Sequence, residues 1–315
     1  MPMTSDHWAE LIDPRMREAF FIGFSGGDRR ASMVPTIYDV IATVLGDEKV
    51  LPIGGIGSSG WNFEDTGRVQ YGEAVKGYEE TFTPHEFARG VQVERKLIDD
   101  NRIAQALDMA GALGDAAFRM REKAGANVFI NAFSAATAET LDDYGTDAVG
   151  ADLVALCSTA HPRHKLDAST TDTNEGTLAL TAANVSTTRQ LMAETLDMNG
   201  DLLNVMPDEI LVPVELEDTA IQIVRSQLDP ASANNAVNPQ AGRFSVHVWH
   251  YLTDSNAWWL MDSGLRRRCL RWYDRIPLEF ARETDFDTLI GKWRAYMRFT
   301  LGWSDWRFVY GQNPS

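Results

Sequence analysis

Four groups of residues carry types and spacings that chemistry can use. Gly55-Ile56-Gly57-Ser58-Ser59-Gly60 spells the pattern of a dinucleotide-binding turn. Such a turn works only between a strand and a helix, whose first amides meet the pyrophosphate. The residues that follow, WNFEDTGRVQYG, are aromatic and broken by glycine, so the run reads as a flexible loop. Cys157, His161, His164 and Asp167 offer zinc ligand types, and zinc needs convergent side chains, four as a rule. Pro162 interrupts them and no HExxH motif occurs, which favours a strand end followed by a polar loop. Arg266, Arg267, Arg268 and Arg271 form a basic run that could meet phosphate. Their acidic neighbours favour ion pairing at a structural or subunit surface. His7, His85, His247 and His250 have no nucleophile partner recognisable along the chain. No catalytic, cofactor-binding or metal-binding residues are signalled along the chain, although a triad assembled in space would leave no such signal.

Composition narrows the remaining classes. With 315 residues and 44% hydrophobic content the chain can bury a substantial core, as one large domain or two intertwined ones. A net charge of −16 argues against a surface that grips nucleic acid by neutralising phosphates, although it permits lying beside DNA. Two cysteines, Cys157 and Cys269, indicate no disulfide framework and fit a reducing cytoplasm. The N-terminal residues lack the pattern of a secretory signal, and the apolar run AFFIGF at 19–24 is too short to span a bilayer.

The elements that would position these residues follow from periodicity. Residues 1–48 read as an arm, with a short amphipathic stretch around 15–22 that needs something to lie on. Residues 49–84 space seven glycines among Trp61, Phe63, Tyr71, Tyr78 and Phe82, which predicts a long two-stranded loop. A ribbon alone is marginal in water, so it should rest on the body or on another subunit. A strand through 87–94 is followed by a helix over 101–133, capped by Asp99 or Asp100. Its stripe of Ile103, Leu107, Ala110, Leu113, Ala117, Met120, Ala124 and Val128 is continuous. Gly111, Gly114 and Gly125 would weaken that helix unless another backbone approaches there. A short strand near 153–158 and a surface loop at 163–177 come next.

The segment 181–224 reads as helix, stop, strand and helix. Asn184 or Ser186 caps the first helix and Asn199-Gly200 ends it. Ile210, Val212, Val214 and Leu216 share a strand face, with Pro213 marking an edge or bulge, and Glu217 and Asp218 open the second helix. Further strands are expected at 243–250 and 258–261. In the C-terminal run, Trp293, Ala295, Met297, Phe299 and Leu301 alternate with Lys292, Arg294, Tyr296, Arg298 and Thr300, and 306–310 would pair back after a turn near 302–305. The tryptophans Trp293, Trp303 and Trp306 read as packing residues rather than a base-stacking platform.

This module order resembles the tailed-bacteriophage major capsid protein fold of the Hong Kong 97 type, an α+β fold with N-terminal arm, extended β-loop, long spine helix, peripheral domain and axial domain. The runs 184–226, STAHP at 158–162 and GWSDWRFVYG at 302–311 are similar to the Mu-like major head subunit family. The resemblance implies an arm at 1–48, an extended loop at 49–84, a peripheral domain with the spine helix at 85–144, an axial domain at 145–285 and a C-terminal ribbon at 286–315 returning to the peripheral domain. It implies a head subunit that assembles with itself into hexamers and pentamers of an icosahedral shell around double-stranded DNA, without sequence-specific binding. It also implies scaffold, portal and decoration proteins as partners, no membrane and no cofactors, and a location in the virion, with host cytoplasm during assembly. The function it implies is assembly with no catalytic residue, and so a protein that is not an enzyme. Expected intersubunit contacts are Trp61, Phe63, Arg68, Tyr71, Lys76, Tyr78 and Phe82. Lys49 and Lys76 stand in no motif that would identify a lysine–asparagine crosslink. Alternatives are a nanocompartment shell of the same fold, or a dinucleotide-dependent enzyme built on residues 55–60.

Overall fold

A computed structural model describes residues 8–25, 31–52, 54–58, 61, 67–69, 71–72, 74–100, 102–134, 150–165, 167–228, 237–284 and 290–314. Helix α1 (Trp8–Phe24) and a short α2 (Val34–Ile37) lead to strand β1 (Asp39–Ala42). Strands β2 (Glu48–Val50) and β3 (Glu80–Phe82) form the base of a long loop, and β4 (His85–Glu94) and α3 (Arg95–Asp99) precede the long helix α4 (Ile103–Ile130). A hairpin of β5 (His161–His164) and β6 (Asp167–Asp172), strand β7 (Glu175–Gly176) and helix α5 (Ala182–Ala193) follow. Then come β8 (Glu209–Val212), α6 (Glu217–Arg225), β9 (Ser245–Val248), β10 (Trp258–Met261), α7 (Ser263–Cys269), β11 (Leu270–Thr284), β12 (Ile290–Trp303) and β13 (Val309–Gln312).

Two sheets organise these elements. One has the order β1-β11-β12-β4, the other β7-β13-β10-β8-β9. Strands β8 and β10 are buried along their whole length. Their odd and even positions enter different cores: Leu211, Trp259 and Met261 face the four-stranded sheet and α4, while Ile210, Val212, Trp258 and Leu260 pack under α5 and α6. A strand covered on both sides needs no polar alternation, and these two show none.

Helix α4 joins the sheets. Its 28 residues span about 42 Å at about 1.5 Å per residue. Ala124, Ala126, Val128 and Phe129 lie in the core shared by both sheets, whereas Ala106, Ala110 and Leu113 pack on α1, Phe280 and Trp293. The amphipathic arm thus finds its support on this chain's own long helix. The glycines explain how close the two helices come. A Cβ on Gly114 would sit 2.0 Å from the Phe20 carbonyl oxygen, and one on Gly23 would sit 2.1 Å from that of Gly111. Gly125 instead makes room for the Trp249 ring, 2.9 Å from where its Cβ would be.

Several expectations change. Helix α4 starts after Arg102 with no side-chain cap, because residues 95–99 form their own short helix. Helix α1 runs through Pro14 and is longer than the amphipathic stretch suggested. The expected strand at 153–158 is a series of turns, and the expected loop at 163–177 is mostly the β5–β6 hairpin and β7. Thr181, not Asn184 or Ser186, caps α5 by accepting the Asn184 amide at 3.2 Å. That helix ends at Ala193, before Asn199-Gly200. Pro213 lies beyond β8, an interior strand, and closes it. The partners of β12 are β11 and β4, and the segment after 305 does not fold back on β12 but supplies β13 to the other sheet.

A buried ion pair ties the sheets to the N-terminal segment. Arg266, 1% exposed, donates to Glu209 Oε2 at 2.6 Å and Oε1 at 2.8 Å, and a third bond goes to the Ile37 carbonyl. Burial pushes the Glu209 carboxyl up, but His247, 3.4 Å away, and Arg266 outweigh it and bring the group to about 2. On α4, Glu122 accepts from the Ser32 hydroxyl, the Met33 amide and Trp249 Nε1, so it anchors the segment entering α2. Nearby, Arg121 makes a two-pronged contact with Asp274 and lies 4.8 Å from the centre of the Trp272 ring.

Candidate functional site

Several of the groups that could do chemistry have structural partners. Cys157 is buried, and burial pushes its thiol far above the ordinary range, which suits packing and not nucleophilic attack. His161 Nδ1 pairs with Asp152 at 2.8 Å, and its ring stacks on Trp306 at 4.4 Å. His164 and Asp167 are paired in the backbone register of the hairpin. Among the described residues, no three His, Cys, Asp or Glu side chains gather to hold a metal ion. Of the arginines, Arg266 is the buried ion pair, while Arg271 bonds Tyr273 and the Arg268 carbonyl. His247 faces Glu209, His85 and His250 are exposed, and His7 lies outside the described residues.

Among the described residues no helix follows the glycine pattern: residues 54–58, 61, 67–69 and 71–72 are neither helix nor strand. The dinucleotide reading needs a helix whose first amides meet the pyrophosphate, and the described residues supply none. Among the described residues no helix is long and apolar enough to cross a membrane.

What this stretch builds is a ribbon. Strands β2 and β3 pair antiparallel from Glu48–Phe82 to Val50–Glu80, and the pairing continues as Gly77 N–H to the Pro52 carbonyl and Gly54 N–H to the Val75 carbonyl. Lys49 meets Glu79 at 3.6 Å across this base. The far part carries apolar surface that the body does not cover: Trp61 is 81% exposed and Tyr71 93%, with Ile56 and Val69 also exposed. Arg68 and Lys76 are exposed and Tyr78 is half-buried, its phenol pushed up by burial and by the Asp152 charge. Phe63 lies outside the described residues. Phe82 requires a correction: it is 1% exposed, packed beside Tyr273 and over Gly302, and so belongs to this chain's own core.

The ribbon rests on the turn between α5 and β8, a contact that residue types did not signal. Asp201 accepts the Ser58 amide at 2.7 Å and the Ser58 hydroxyl at 2.8 Å, and the Asn199 side-chain amide donates to the Gly55 carbonyl at 2.6 Å. The Ser58 amide and hydroxyl hold the Asp201 carboxyl below its usual range. Met198 enters between the strands where both lack side chains. A Cβ on Gly54 would lie 3.0 Å from Met198 Cβ, and one on Gly77 2.7 Å from its Cε. The local cue was DMNGD at 197–201, dense in turn formers, but it reads equally as a helix stop.

With this geometry in view, comparison with known proteins is informative. A family model described as phage capsid protein matches residues 78–311. No curated protein sequence matches the chain. Among solved structures, the mature capsid of bacteriophage PhiM1 is similar, with a TM-score of 0.57 at 12% identity, covering 92% of this chain and 89% of that one. The capsid of bacteriophage JBD30, decorated with minor capsid protein trimers, gives 0.54 at 14% identity, covering 71% and 92%. A virus-like particle from Pyrococcus furiosus gives 0.54 at 9% identity, covering 95% and 98%. At these identities the likeness shows the fold.

Proposed function

The chain belongs to the phage capsid protein family and is a shell-forming structural protein of the virion, and we propose that it builds its shell from hexamers and pentamers closed around packaged double-stranded DNA. The observation that carries this reading is the ribbon. A protein that buries Trp258 and Trp259 completely within itself leaves Trp61 and Tyr71 in solvent on a loop that stands on a small base. Large aromatic and apolar residues left exposed on a ribbon mark a contact surface. The donor ribbon and whatever receives it are different patches of the subunit, and such head-to-tail contacts generate rings when the rotation closes.

In this reading Trp61, Phe63, Arg68, Tyr71, Lys76 and Tyr78 touch the neighbouring subunit. Residues 1–48 are the arm, 49–84 the extended loop, 85–144 the peripheral domain, 145–285 the axial domain and 286–315 the ribbon returning to the peripheral domain. Strand β11 then hydrogen-bonds the axial segment directly to the peripheral sheet. The net charge of −16 supports a wall that does not adhere to the nucleic acid packed against it. Assembly takes place in the host cytoplasm with scaffold and portal proteins, and a decoration protein is a further partner. The narrower affinity is to the Mu-like head subunits, supported by residues 184–226 and the ending at 302–311.

Negative-stain microscopy of the purified protein, alone and with co-expressed scaffold, tests the proposal. Hollow particles or ring-shaped capsomers are expected. A 35.1 kDa monomer under every assembly condition would overturn it. Particles that enclose protein cargo instead of DNA would assign the same shell to a nanocompartment.

A further inference from the structure

The ribbon's base is held by a turn that is itself built to be stiff. Asp197 Oδ1 accepts the amides of Asn199 at 2.7 Å and Asp201 at 2.9 Å, and the Asp197 amide donates to the Asp201 carbonyl at 2.7 Å. Gly200 closes the turn at φ +87°, a conformation that favours glycine. The turn is fastened to the body from behind, because Arg307 donates to the carbonyls of Leu196 and Arg163 while paired with Asp305. In front it offers three different grips on the ribbon: the Asp201 carboxylate on Ser58, the Asn199 amide on Gly55, and the Met198 side chain in the notch left by Gly54 and Gly77.

We propose that the 197–201 turn is a positioning element for assembly: it sets the angle at which the extended loop leaves the body, and through that angle the curvature at which copies join. The inference rests on the shell reading above. A ribbon acts as a lever, so a tilt at its base displaces the aromatic residues beyond it by more than the base itself moves. In a head-to-tail contact the rotation between copies decides which ring closes, and whether one closes at all. A rigid seat therefore converts one local geometry into one particle size. Met198, Asn199 and Asp201 are the residues that do this, and Asp197 and Gly200 keep them in place. The Asp201 grip is exposed to solvent, and the Ser58 amide and hydroxyl hold its carboxyl below the usual carboxylate range.

The test uses the full chain with Ser58→Ala/Asp201→Ala, which removes an exposed grip, and Met198→Ala, which empties the notch. Met198→Leu, similar in volume, serves as the control for folding. Hydrogen exchange on unassembled subunits reads the seat, and microscopy of assembled material reads the shell. The expected result is exchange about tenfold faster at the amides of residues 54, 58 and 77. It is accompanied by mixed diameters or open sheets in place of a single particle size, while Met198→Leu resembles the parent. Unchanged exchange, or faster exchange with shells of the parental diameter, overturns the proposal and leaves the shell reading intact. Failure of the parent protein itself to form particles removes the shell reading, and this proposal with it.

Discussion

Trp61 and Tyr71 on the extended loop and Trp258 and Trp259 in β10 are large aromatic residues with opposite surroundings. The loop pair stands 81% and 93% exposed, and the strand pair is 0% and 1% exposed. Burying a large apolar side chain is worth about 1.5–3 kcal/mol, so the exposed pair represents stabilisation that the isolated subunit does not collect. Strand β10 lies between β13 and β8 and finds covering surface within the chain, whereas Trp61 and Tyr71 find none among the described residues.

This contrast can be broken in several ways, in order of their expected cost to the subunit. Trp259→Ala should destabilise by about 3–5 kcal/mol, because Phe129 and Phe133 would line the resulting cavity. Urea unfolding followed by circular dichroism measures it, and a loss below about 1 kcal/mol would contradict the packing described. Arg266→Met should cost about 3 kcal/mol by leaving Glu209 buried with His247, 3.4 Å away, as its remaining partner. The same pair predicts an acid limb. The Glu209 carboxyl is lowered from 4.5 to about 2, so its contribution is fully present above about pH 4.5 and is lost as pH falls toward 2. Melting curves across this window should show that slope in the parent and a weaker one in Arg266→Met.

Gly114→Ala should cost about 1–3 kcal/mol, since the added Cβ would strike the Phe20 carbonyl and push α1 from α4. Faster proteolysis within residues 8–25 would report that detachment. Trp61→Ser with Tyr71→Ser should change subunit stability by no more than about 0.5 kcal/mol. In light scattering the same variant should lose assembly. If it formed normal shells, the loop would not be the contact surface, and the comparison between the two aromatic pairs would carry no functional meaning.

The elements legible in the sequence are those whose burial repeats regularly. The stripe of α4 and the alternation of β12 appear at their expected positions, because each keeps one apolar face inward along its length while the core it meets changes from one cluster to the next. Strand β11 escaped notice. The basic run before it draws the eye to charge, Pro277 interrupts it, and register shifts between Asp274, Ile276 and Glu279 spoil its alternation. The β5–β6 hairpin is polar and gains its order from specific pairs such as Arg163 with Asp172 at 2.6 Å, which no local pattern announces. The exposed loop aromatics were legible because glycine spacing marked the ribbon. Phe82 was misassigned with them, since its distance from the base, and hence its burial beside Tyr273, follows only from where the strand enters the sheet.

The unequal clothing of α4 also has a mechanical side. Residues 124–129 are wedged between two sheets, while residues 106–113 have α1 on one side and a single sheet on the other. The helix is thus a beam clamped at one end and laterally supported at the other. Close-packed interiors transmit strain with little compression. Pressure on a wall made of such subunits would travel along the beam into the clamp, and the elastic give would be concentrated where α1 slides over the glycines of α4.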